Sequence, residues 1–458
     1  MPHDRALPRR GRGTRQVKSK PSHYQAAGLR KWLTPGMGVK RWFGLSIFGV
    51  LIFTCGILIL ADVPAELWDT LRSRFSIRTT LGVSAAVAGV LAIVLGVIRG
   101  FLTMYNAVAP NPTRKLVDVL YERKQLESGL KIVVMGGGTG LSCLLRGLKP
   151  LTSNLVAVVT VCDDGGSSGR LSKDLGVLPP GDIRNCLVAL ADDESLLGEL
   201  FSYRFQDGQG LSGHSFGNLF LAALTDVVGD FEEAIQLSSQ VLASRGKVLP
   251  TTLDTVTLCA RMSDGRTIRG ESSIPRAGGD IEQIFLDPPT ATPTKEVLAS
   301  LRAADAVVLG PGSLFTSVIP NLLVEGVEEA LRQLSVPKIY ICNVMTQPGE
   351  TEGFGAADHL EALEQHIGAG LVDTIVVNVA VPSDEMLRRY EAQGAQPVDP
   401  QLERLEKMGV TVVGANLLSD QNLVRHDSKR LGTAVVDLLA RYHAKIGDSR
   451  TRHLRVVG

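Results

Sequence analysis

The fold is decided by Lys131-Ile-Val-Val-Met-Gly-Gly-Gly-Thr-Gly140 together with Leu155-Val-Ala-Val-Val-Thr-Val-Cys-Asp-Asp-Gly-Gly-Ser-Ser-Gly169. An apolar, β-branched run ends in clustered glycines, a helix-compatible stretch follows, and a second apolar run ends in two aspartates. This order predicts a strand, a turn, a helix and a second strand, as in nucleotide-binding α/β domains. Glycines at such a turn let backbone N–H groups approach an anion, and the helix dipole favours the same charge. A nucleotide is therefore the first ligand to consider.

The match to the dinucleotide fingerprint is incomplete. Cys143 stands where a third small residue is expected, and no lysine follows as it does in a P-loop. A tight turn that serves packing alone is the alternative interpretation of the same glycines.

The remainder of the chain from residue 130 alternates strand-like and helix-like runs. The apolar runs predict strands at Ile132–Met135, Leu155–Val161, Ala306–Leu309, Ile339–Cys342, Thr374–Val379 and Val410–Val413. Helices are predicted between them, among them Ile183–Ala191, Phe216–Val228, Phe231–Ser244, Ala356–His366 and Ser428–Tyr442. Such a pattern predicts an α/β fold with a Rossmann-like, mostly parallel sheet that is covered by helices on both faces.

One segment departs from that alternation. Val256–Met262 and Thr267–Glu271 flank an Asp264-Gly265 turn, which is a hairpin signal. We expect an antiparallel hairpin extension attached to the edge of the parallel sheet.

The amino-terminal region has a different composition. Residues before Trp42 carry eleven lysines and arginines against the single acid Asp4. Two uncharged apolar runs follow, Trp42–Ala61 and Leu81–Ile98, each near the ~20 residues that cross a bilayer. Basic residues precede the first run and follow the second, so a two-helix transmembrane hairpin would keep both ends in the cytoplasm.

These features predict five segments and a location at the inner (cytoplasmic) membrane, with the nucleotide-binding domain in the cytoplasm. The segments are a disordered basic arm (1–40), the membrane hairpin (41–100), a linker (101–129), a Rossmann-like nucleotide-binding domain (130–445) and a basic tail (446–458). The basic arm is placed to touch anionic lipid headgroups.

Composition excludes several classes of function. Lysine and arginine number 48 against 47 acidic residues, and aromatic residues make up 5%. This balance argues against nucleic-acid binding. The six cysteines show no metal-ligand spacing and predict reduced core residues.

Paired carboxylates end the second predicted strand. Asp163 and Asp164 could accept ribose hydroxyls, hold a divalent ion such as Mg²⁺ against a diphosphate, or form a solvated turn. The following Gly165–Arg170 segment adds backbone amides and a cation, which favours a ligand role.

Two more motifs open helices. Asp182 is placed to cap the helix that follows Pro180, while Arg184 and Asn185 could face a ligand. His214 and Asn218 share a helix face, and the histidine could act as a base, a phosphate partner or a plain helix-start residue.

A second glycine turn follows the third predicted strand. In Gly310-Pro-Gly-Ser-Leu-Phe-Thr316, Ser313 and Thr316 offer hydroxyls beside a helix start. Two such turns in one sheet suit a diphosphate or a ligand with two anionic ends. The amide-rich loop Asn343–Gly353 should lie at the same edge of the sheet.

Six motifs together resemble the bacterial gluconeogenesis factor family, which is related to 2-phospho-L-lactate transferase. They are Met135–Gly140, Asp163–Arg170, Pro180–Asn185, Gly213–Asn218, Gly310–Thr316 and Asn343–Glu350. The resemblance covers 130–442 and implies a Rossmann-like core. It further implies UDP-sugar binding and a need for the protein in growth and cell shape on gluconeogenic carbon sources. The transferase branch moves a phospholactyl group from a nucleotide-diphosphate donor to a deazaflavin with Mg²⁺. The amino-terminal hairpin departs from the soluble family pattern.

Two hypotheses remain open, because it is uncertain from the sequence whether the chain is an enzyme. One is a membrane-tethered UDP-sugar-binding regulator, and the other is a transferase of the phospholactate type in which Asp163 and Asp164 hold Mg²⁺. An NAD-dependent oxidoreductase is a third and weaker alternative. Whether the chain forms a homo-oligomer is also left open. The candidate nucleotide- and phosphate-binding residues are Gly136, Gly137, Gly138, Thr139, Gly140, Asp163, Asp164, Ser167, Ser168, Arg170, Asp182, Asn185, His214, Asn218, Gly310, Pro311, Gly312, Ser313, Thr316, Asn343 and Gln347.

Overall fold

The structure, a computed structural model, describes residues 39–61, 77–108, 124–191, 196–419 and 426–445. The chain separates into two compact units, Met1–Leu120 and Tyr121–Gly458. The predicted basic arm up to residue 38, most of the linker and the basic tail lie outside the described residues.

The amino-terminal unit contains two long apolar helices. Helix α1 spans Val39–Ala61 and helix α2 spans Ile77–Val108, so α2 continues eight residues beyond the predicted end of the hairpin. Segments Arg41–Ala61 and Thr80–Thr103 are long and apolar enough to cross a membrane, with mean hydropathies of 2.5 and 2.6. Only 11% and 17% of these stretches are buried within the protein, so most of their apolar surface faces outward.

Glycines spaced seven residues apart bring the two helices together. Gly49 on α1 faces α2, and Gly82, Gly89 and Gly96 on α2 face α1. A β-carbon at Gly89 would lie 2.5 Å from the Phe53 backbone nitrogen. Small residues at this spacing let helix backbones pack closely where water does not drive association.

The carboxy-terminal unit is built on a seven-stranded parallel sheet. The strands of this sheet are β1 (Ile132–Gly136), β2 (Leu155–Val159), β3 (Lys247–Pro250), β7 (Ala306–Leu309), β8 (Lys338–Ile341), β9 (Thr374–Asn378) and β10 (Thr411–Ala415). Their order across the sheet is β10-β9-β8-β7-β1-β2-β3, and Ile132 of β1 pairs with Leu155 of β2 on one side and with Ala306 of β7 on the other.

Both faces of this sheet are covered, as the continuous apolar strands predict. Every residue of β1 is buried, and its side chains alternate between two apolar clusters. Val133 and Met135 join one cluster, whereas Ile132 and Val134 join the other. The prediction of a Rossmann-like sheet between helical layers is confirmed.

The helices and short strands of this unit complete the architecture. The helices are α3 (Gly138–Leu148), α4 (Gly166–Leu175), α5 (Gly181–Leu190), α6 (Leu196–Ser202), α7 (Phe216–Val228), α8 (Phe231–Val241), α9 (Ile274–Ala277), α10 (Lys295–Arg302), α11 (Ile319–Leu322), α12 (Val327–Arg332), α13 (Ala356–Ile367), α14 (Asp384–Glu391), α15 (Leu402–Lys407) and α16 (Ser428–Lys445). A 3₁₀ turn spans Glu271–Ser273, and a π-helical turn spans Leu314–Val318.

Two elements of the carboxy-terminal unit were not predicted from the sequence. Strand β3 is short and lies at the edge of the sheet, and α4 begins within the Gly165–Arg170 segment, which we did not assign to a helix. Glycine and serine favour helices weakly. Tertiary contacts of Ser167 and Ser168 supply the stabilisation that propensity does not.

The predicted hairpin is present but does not extend the parallel sheet. Strands β4 (Thr257–Met262) and β5 (Thr267–Arg269) pair across the Asp-Gly turn, and β6 (Ile281–Asp287) pairs with β4 on its other side. Together they form a separate three-stranded sheet. Leu258, Ala260 and Ile284 belong to the same apolar cluster as Val133, so this sheet packs against the core rather than along its edge.

Candidate functional site

The two glycine turns lie at the point where the order of the strands reverses. From β1 the chain proceeds through β2 and β3 on one side, and later strands β7 to β10 fill the other side. Loops that leave neighbouring strands toward opposite faces open a crevice at the carboxyl ends of those strands. Gly137 follows β1, and Gly310 follows β7, at this position.

Backbone contact between the turns confirms that they converge. A β-carbon at Gly140 would lie 2.6 Å from the carbonyl oxygen of Pro311, and one at Gly312 would lie 3.3 Å from the Gly137 oxygen. The fully buried Asn321 holds this junction, since its Nδ2 donates to the oxygens of Gly136 (3.0 Å) and Ser317 (2.7 Å). Glycine is therefore required at residue 140 for the close approach.

Helix α3 presents its amino terminus to this junction. Gly137 precedes the helix in an extended conformation and supplies no side-chain cap, and Gly138 has a φ of +63°, which favours glycine. The Gly138 amide bonds the carboxyl group of Asp182, so the first-turn N–H groups that follow it are the ones without a side-chain cap that an anion from outside the helix can use.

A cleft of about 1620 Å³ opens above the turns. This exceeds the volume of about 300–1000 Å³ typical of small-molecule pockets, so a ligand of two or more parts has room. Of the predicted residues, the cleft is lined by Gly137, Gly138, Thr139, Gly140, Asn185, Pro311, Gly312, Ser313, Thr316, Asn343 and Gln347.

The hydroxyls of the second turn are joined to a carboxyl group. Thr316 Oγ1 donates to Ser313 Oγ (2.7 Å), and Ser313 Oγ donates to Glu350 Oε2. Burial raises the pKa of Glu350 to about 7, although the bonds from Ser313 and Thr316 oppose the rise. Glu350 therefore changes charge near neutral pH at the base of the cleft.

Asn343 links the second turn to the loop after β8. Its Oδ1 accepts from the Gly312 amide (3.3 Å), and its Nδ2 donates to Gln347 Oε1 (3.2 Å). The amide-rich loop thus lies at the same edge as the glycine turns, as its position after a strand predicts.

Four more carboxyl groups border the first turn. Asp163 accepts from the Gly165 amide (3.0 Å), and Asp164 accepts from the Ser272 amide (2.8 Å). Burial, and then repulsion from Asp163, raise the pKa of Asp182 to about 6, and the same two causes raise that of Glu271 to about 8. Of these four, only Glu271 lines the cleft itself.

The aspartates form no ready-made metal centre. Within the described ranges, no group of three or more His, Cys, Asp or Glu side chains is arranged to hold a metal ion. Mg²⁺ commonly binds one or two carboxylates together with substrate phosphates. Asp163 and Asp164 fit such a shared site better than an all-protein one, and their metal role stays a prediction.

The helix cap expected of Asp182 is wrong. Helix α5 begins at Gly181 with Pro180 before it, and no side chain caps it. Asp182 instead lies in the first turn, where the Gly138 amide bonds its carboxyl group.

His214 and Asn218 lie behind α4 rather than on the cleft wall. The ring Nδ1 of His214 is 3.0 Å from Ser167 Oγ, and Asn218 Nδ2 donates to Ser167 (3.2 Å) and Ser168 (3.4 Å). Burial, and then the charge of Arg170, lower the pKa of His214, which favours the neutral form of the ring. The structure therefore joins these residues in a buried network between α4 and α7, and the Ser215 side chain caps α7.

The other predicted residues outside the cleft wall are Gly136, Asp163, Asp164, Arg170, Asp182 and Gly310. Arg170 donates to the Ser212 carbonyl (3.0 Å) near the surface. The ligand roles assigned to these residues and to the α4 network stay predictions.

A further wall of the cleft comes from residues that sequence reasoning missed. Cys143 of α3 lies 3.0 Å from the His426 oxygen and 3.1 Å from Ser428 Oγ, which brings the start of α16 beside α3. Others on this wall are Arg146, Tyr390, Gln393, Asp427 and Lys429. Asp427 before an amphipathic run was a readable helix-start signal. No local signal linked it to the glycine turns.

His426 gives this wall an uncharged polar group. The side chain is 9% exposed and lines the cleft, and neither ring nitrogen has a hydrogen-bond partner among the described residues. Burial lowers its pKa to about 4, so the ring is neutral and offers one donor and one acceptor.

Comparison with known proteins identifies the family. The sequence pattern described as 2-phospho-L-lactate transferase CofD matches residues 132–418. A protein of Bacillus subtilis named gluconeogenesis factor is 50% identical over 310 residues, which are 68% of this chain and 98% of that protein. A crystal structure of a protein from Bacillus halodurans has a TM-score of 0.66 and 49% identity, and it covers 67% of this chain and 99% of that one.

Relatives of two lengths are found. A Nostoc protein, provisionally named a gluconeogenesis factor, is 45% identical over 432 residues, which are 92% of this chain and 94% of that protein. Because the carboxy-terminal unit begins at Tyr121, this alignment runs into the amino-terminal unit. That unit is therefore shared with some relatives, whereas the shorter proteins align over about two thirds of the chain. On the family match, the identities and the parallel sheet with its paired glycine turns, this chain belongs to the 2-phospho-L-lactate transferase CofD family, among the relatives named gluconeogenesis factor.

Proposed function

We propose that this chain is a UDP-sugar-binding regulatory protein of the gluconeogenesis factor type, needed for growth and cell shape on gluconeogenic carbon sources. The observation that carries the ligand class is the approach of the two glycine turns, Gly140 against Pro311, at neighbouring strand ends. Side-chain-free amides at the start of a helix favour a diphosphate over an uncharged ligand.

The remaining cleft supports a nucleotide sugar rather than a simple anion. Besides the turns, the cleft lining offers the Tyr390 ring, the neutral His426 imidazole and the Gln393 amide. Aromatic faces stack on bases, and uncharged donors and acceptors suit sugar hydroxyls. One ligand of this class could contact the glycine turns and these three side chains together.

The apolar helices support a tether at the cytoplasmic face of the inner membrane. Helices α1 and α2 expose apolar side chains such as Phe43 (62%) and Leu91 (63%) that a bilayer would cover. Basic residues before α1 and after α2 favour cytoplasmic ends by the positive-inside rule.

A second candidate function is phospholactyl transfer, which the family name suggests. The favouring observation is the set of carboxyl groups that borders the first turn, Asp163, Asp164, Asp182 and Glu271. A bound Mg²⁺ would neutralise phosphate charge there. The chain's own contribution would be to bind and orient the donor through backbone amides, since transfer at phosphorus depends on positioning and charge stabilisation.

One paired assay separates the two candidates. The full chain is titrated calorimetrically with UDP-N-acetylglucosamine, and in parallel is incubated with a phospholactyl-nucleotide, a deazaflavin and Mg²⁺. Saturable binding without product supports the regulator, and Mg²⁺-dependent product supports the transferase. Turnover that survives Asp164→Asn would remove that residue from the metal role.

The tether and the regulatory role have tests of their own. Carbonate extraction of membranes should leave the full chain in the pellet, and its release would defeat the tether. Cells lacking the protein should grow poorly and lose their shape on a gluconeogenic carbon source but not on glucose. Equal growth and shape on both would defeat the regulatory role.

A further inference from the structure

Helices α1 and α2 of the amino-terminal unit carry a cationic cluster. The guanidinium carbon of Arg41 lies 5.4 Å from the Trp42 ring centroid, and that of Arg99 lies 5.7 Å from the same ring. One indole thus holds two positive charges, each at cation–π distance. We call Arg41, Trp42 and Arg99 the arginine clamp.

Both helices build the clamp at one depth of the hairpin. A β-carbon at Gly96 would lie 2.7 Å from the Trp42 oxygen, and one at Gly100 would lie 3.6 Å from Trp42 Cβ. The last turns of the apolar part of α2 therefore lie beside the first turn of α1. This is the end that carries the basic arm of the sequence.

The charge of the clamp is not neutralised by its own helices. Neither α1 nor α2 contains an aspartate or a glutamate. Two guanidinium groups held against one ring are like charges, and an anion bound near them lowers their repulsion. The clamp consequently favours an anionic partner from outside the hairpin.

The surroundings of the clamp are apolar. Phe43, Ile98 and Phe101 lie next to it in sequence and are 62%, 51% and 57% exposed. A partner that fits this surface has an anionic head and an apolar tail, a combination that free phosphate lacks.

We propose that the arginine clamp binds the phosphodiester group of an anionic phospholipid in the leaflet facing the cytoplasm. Arginine forks match phosphate oxygens in two parallel hydrogen bonds, and tryptophan is enriched at the boundary between acyl chains and headgroups. In this proposal the lipid phosphate accepts hydrogen bonds from the guanidinium groups of the clamp while its acyl chains cover Phe43 and Ile98. The inference rests on the membrane hairpin of the proposed function and adds a defined headgroup site to it.

The test compares lipid retention by the full chain. The protein is purified in a neutral detergent, mixed with phosphatidylglycerol or with phosphatidylcholine, and its bound lipids are counted by native mass spectrometry. Arg41→Gln/Arg99→Gln removes the clamp charges, and Arg72→Gln/Arg74→Gln removes the same charge from the segment that connects the helices. A basic residue near a membrane surface contributes about fivefold in affinity, so the clamp variant should bind phosphatidylglycerol about 25-fold more weakly.

The control should retain phosphatidylglycerol as the unchanged chain does, and phosphatidylcholine should bind weakly to all three proteins. Equal retention of phosphatidylglycerol by the clamp variant would overturn the site, and so would displacement of the lipid by excess inorganic phosphate. Carbonate extraction of each variant separates this outcome from failure of the tether. A chain that stays in the membrane without headgroup preference refutes only the clamp, whereas a chain that is released refutes the hairpin.

Discussion

Replacing Gly140 by alanine should separate the two glycine turns. The new β-carbon would lie 2.6 Å from the Pro311 oxygen and 2.9 Å from its carbonyl carbon, where ordinary contact begins at 3.4 Å. The neighbouring atoms belong to the backbone, so one turn must retreat by about 0.8 Å to restore normal contact distances. A phosphate hydrogen bond of about 2.8 Å would then exceed 3.5 Å and be lost.

The expected loss of binding affinity follows from the energy of one hydrogen bond. A hydrogen bond to a charged group contributes about 1.5–3 kcal/mol, so Gly140→Ala should weaken nucleotide-sugar binding by about 10- to 100-fold. Calorimetric titration with UDP-N-acetylglucosamine measures the dissociation constant, and a thermal melt confirms that the variant is folded.

Gly198→Ala is the matched control. Gly198 lies within α6, and a β-carbon there would have no neighbour within 4 Å. Alanine should stabilise this helix by up to about 1 kcal/mol and leave binding unchanged. A folded Gly140→Ala variant that binds within twofold of the unchanged chain would refute the convergence of the turns on one ligand.

Three further outcomes are expected. The pKa of Glu271 rises from 4.5 to about 8 on folding, so its carboxyl group favours the folded state below pH 4.5 and loses that contribution as the pH rises through 8. Glu271→Gln should therefore raise the free energy of unfolding more at pH 9 than at pH 5, with a difference of at most about 5 kcal/mol, and the melting temperature should rise accordingly. An equal effect at both pH values would contradict the raised pKa. Gly147→Ala should lower the free energy of unfolding by about 1–3 kcal/mol in urea titrations, because its β-carbon would overlap the Ser428 oxygen; an unchanged midpoint would show that α3 and α16 can separate freely. Asn321→Leu should cost about 2–4 kcal/mol in the same assay, since it removes the amide group that donates to the Gly136 and Ser317 oxygens and accepts from Thr251 Oγ1, and no loss would mean that water replaces it.

The strands and helices of the parallel core could be predicted from local sequence patterns. The strands around Ile132, Leu155 and Ala306 were readable because each is an unbroken apolar run that ends in turn residues. Helix α7 has the predicted bounds, Phe216–Val228, since a serine cap precedes it and a glycine follows it.

Prediction failed where tertiary contacts override local preference. Helix α4 contains glycines and serines and is held by the buried contacts of Ser167 with His214 and Asn218. The same contacts place His214 behind α4 rather than on the cleft wall, which its position at a predicted helix start did not indicate. The pKa values of Glu271 and Glu350 also depend on burial and on distant carboxylates, which no motif encodes.

The sequence by itself determined the parallel α/β core, the two apolar helices and the position of each glycine turn at the end of a strand, because all of these follow from short-range periodicity and backbone sterics. Only the tertiary structure decided that the turns after β1 and β7 meet at one cleft, and that residues of α14 and α16 also line this cleft. Those contacts join segments separated by more than a hundred residues, and the order in which parallel strands assemble, rather than any local pattern, brings them together.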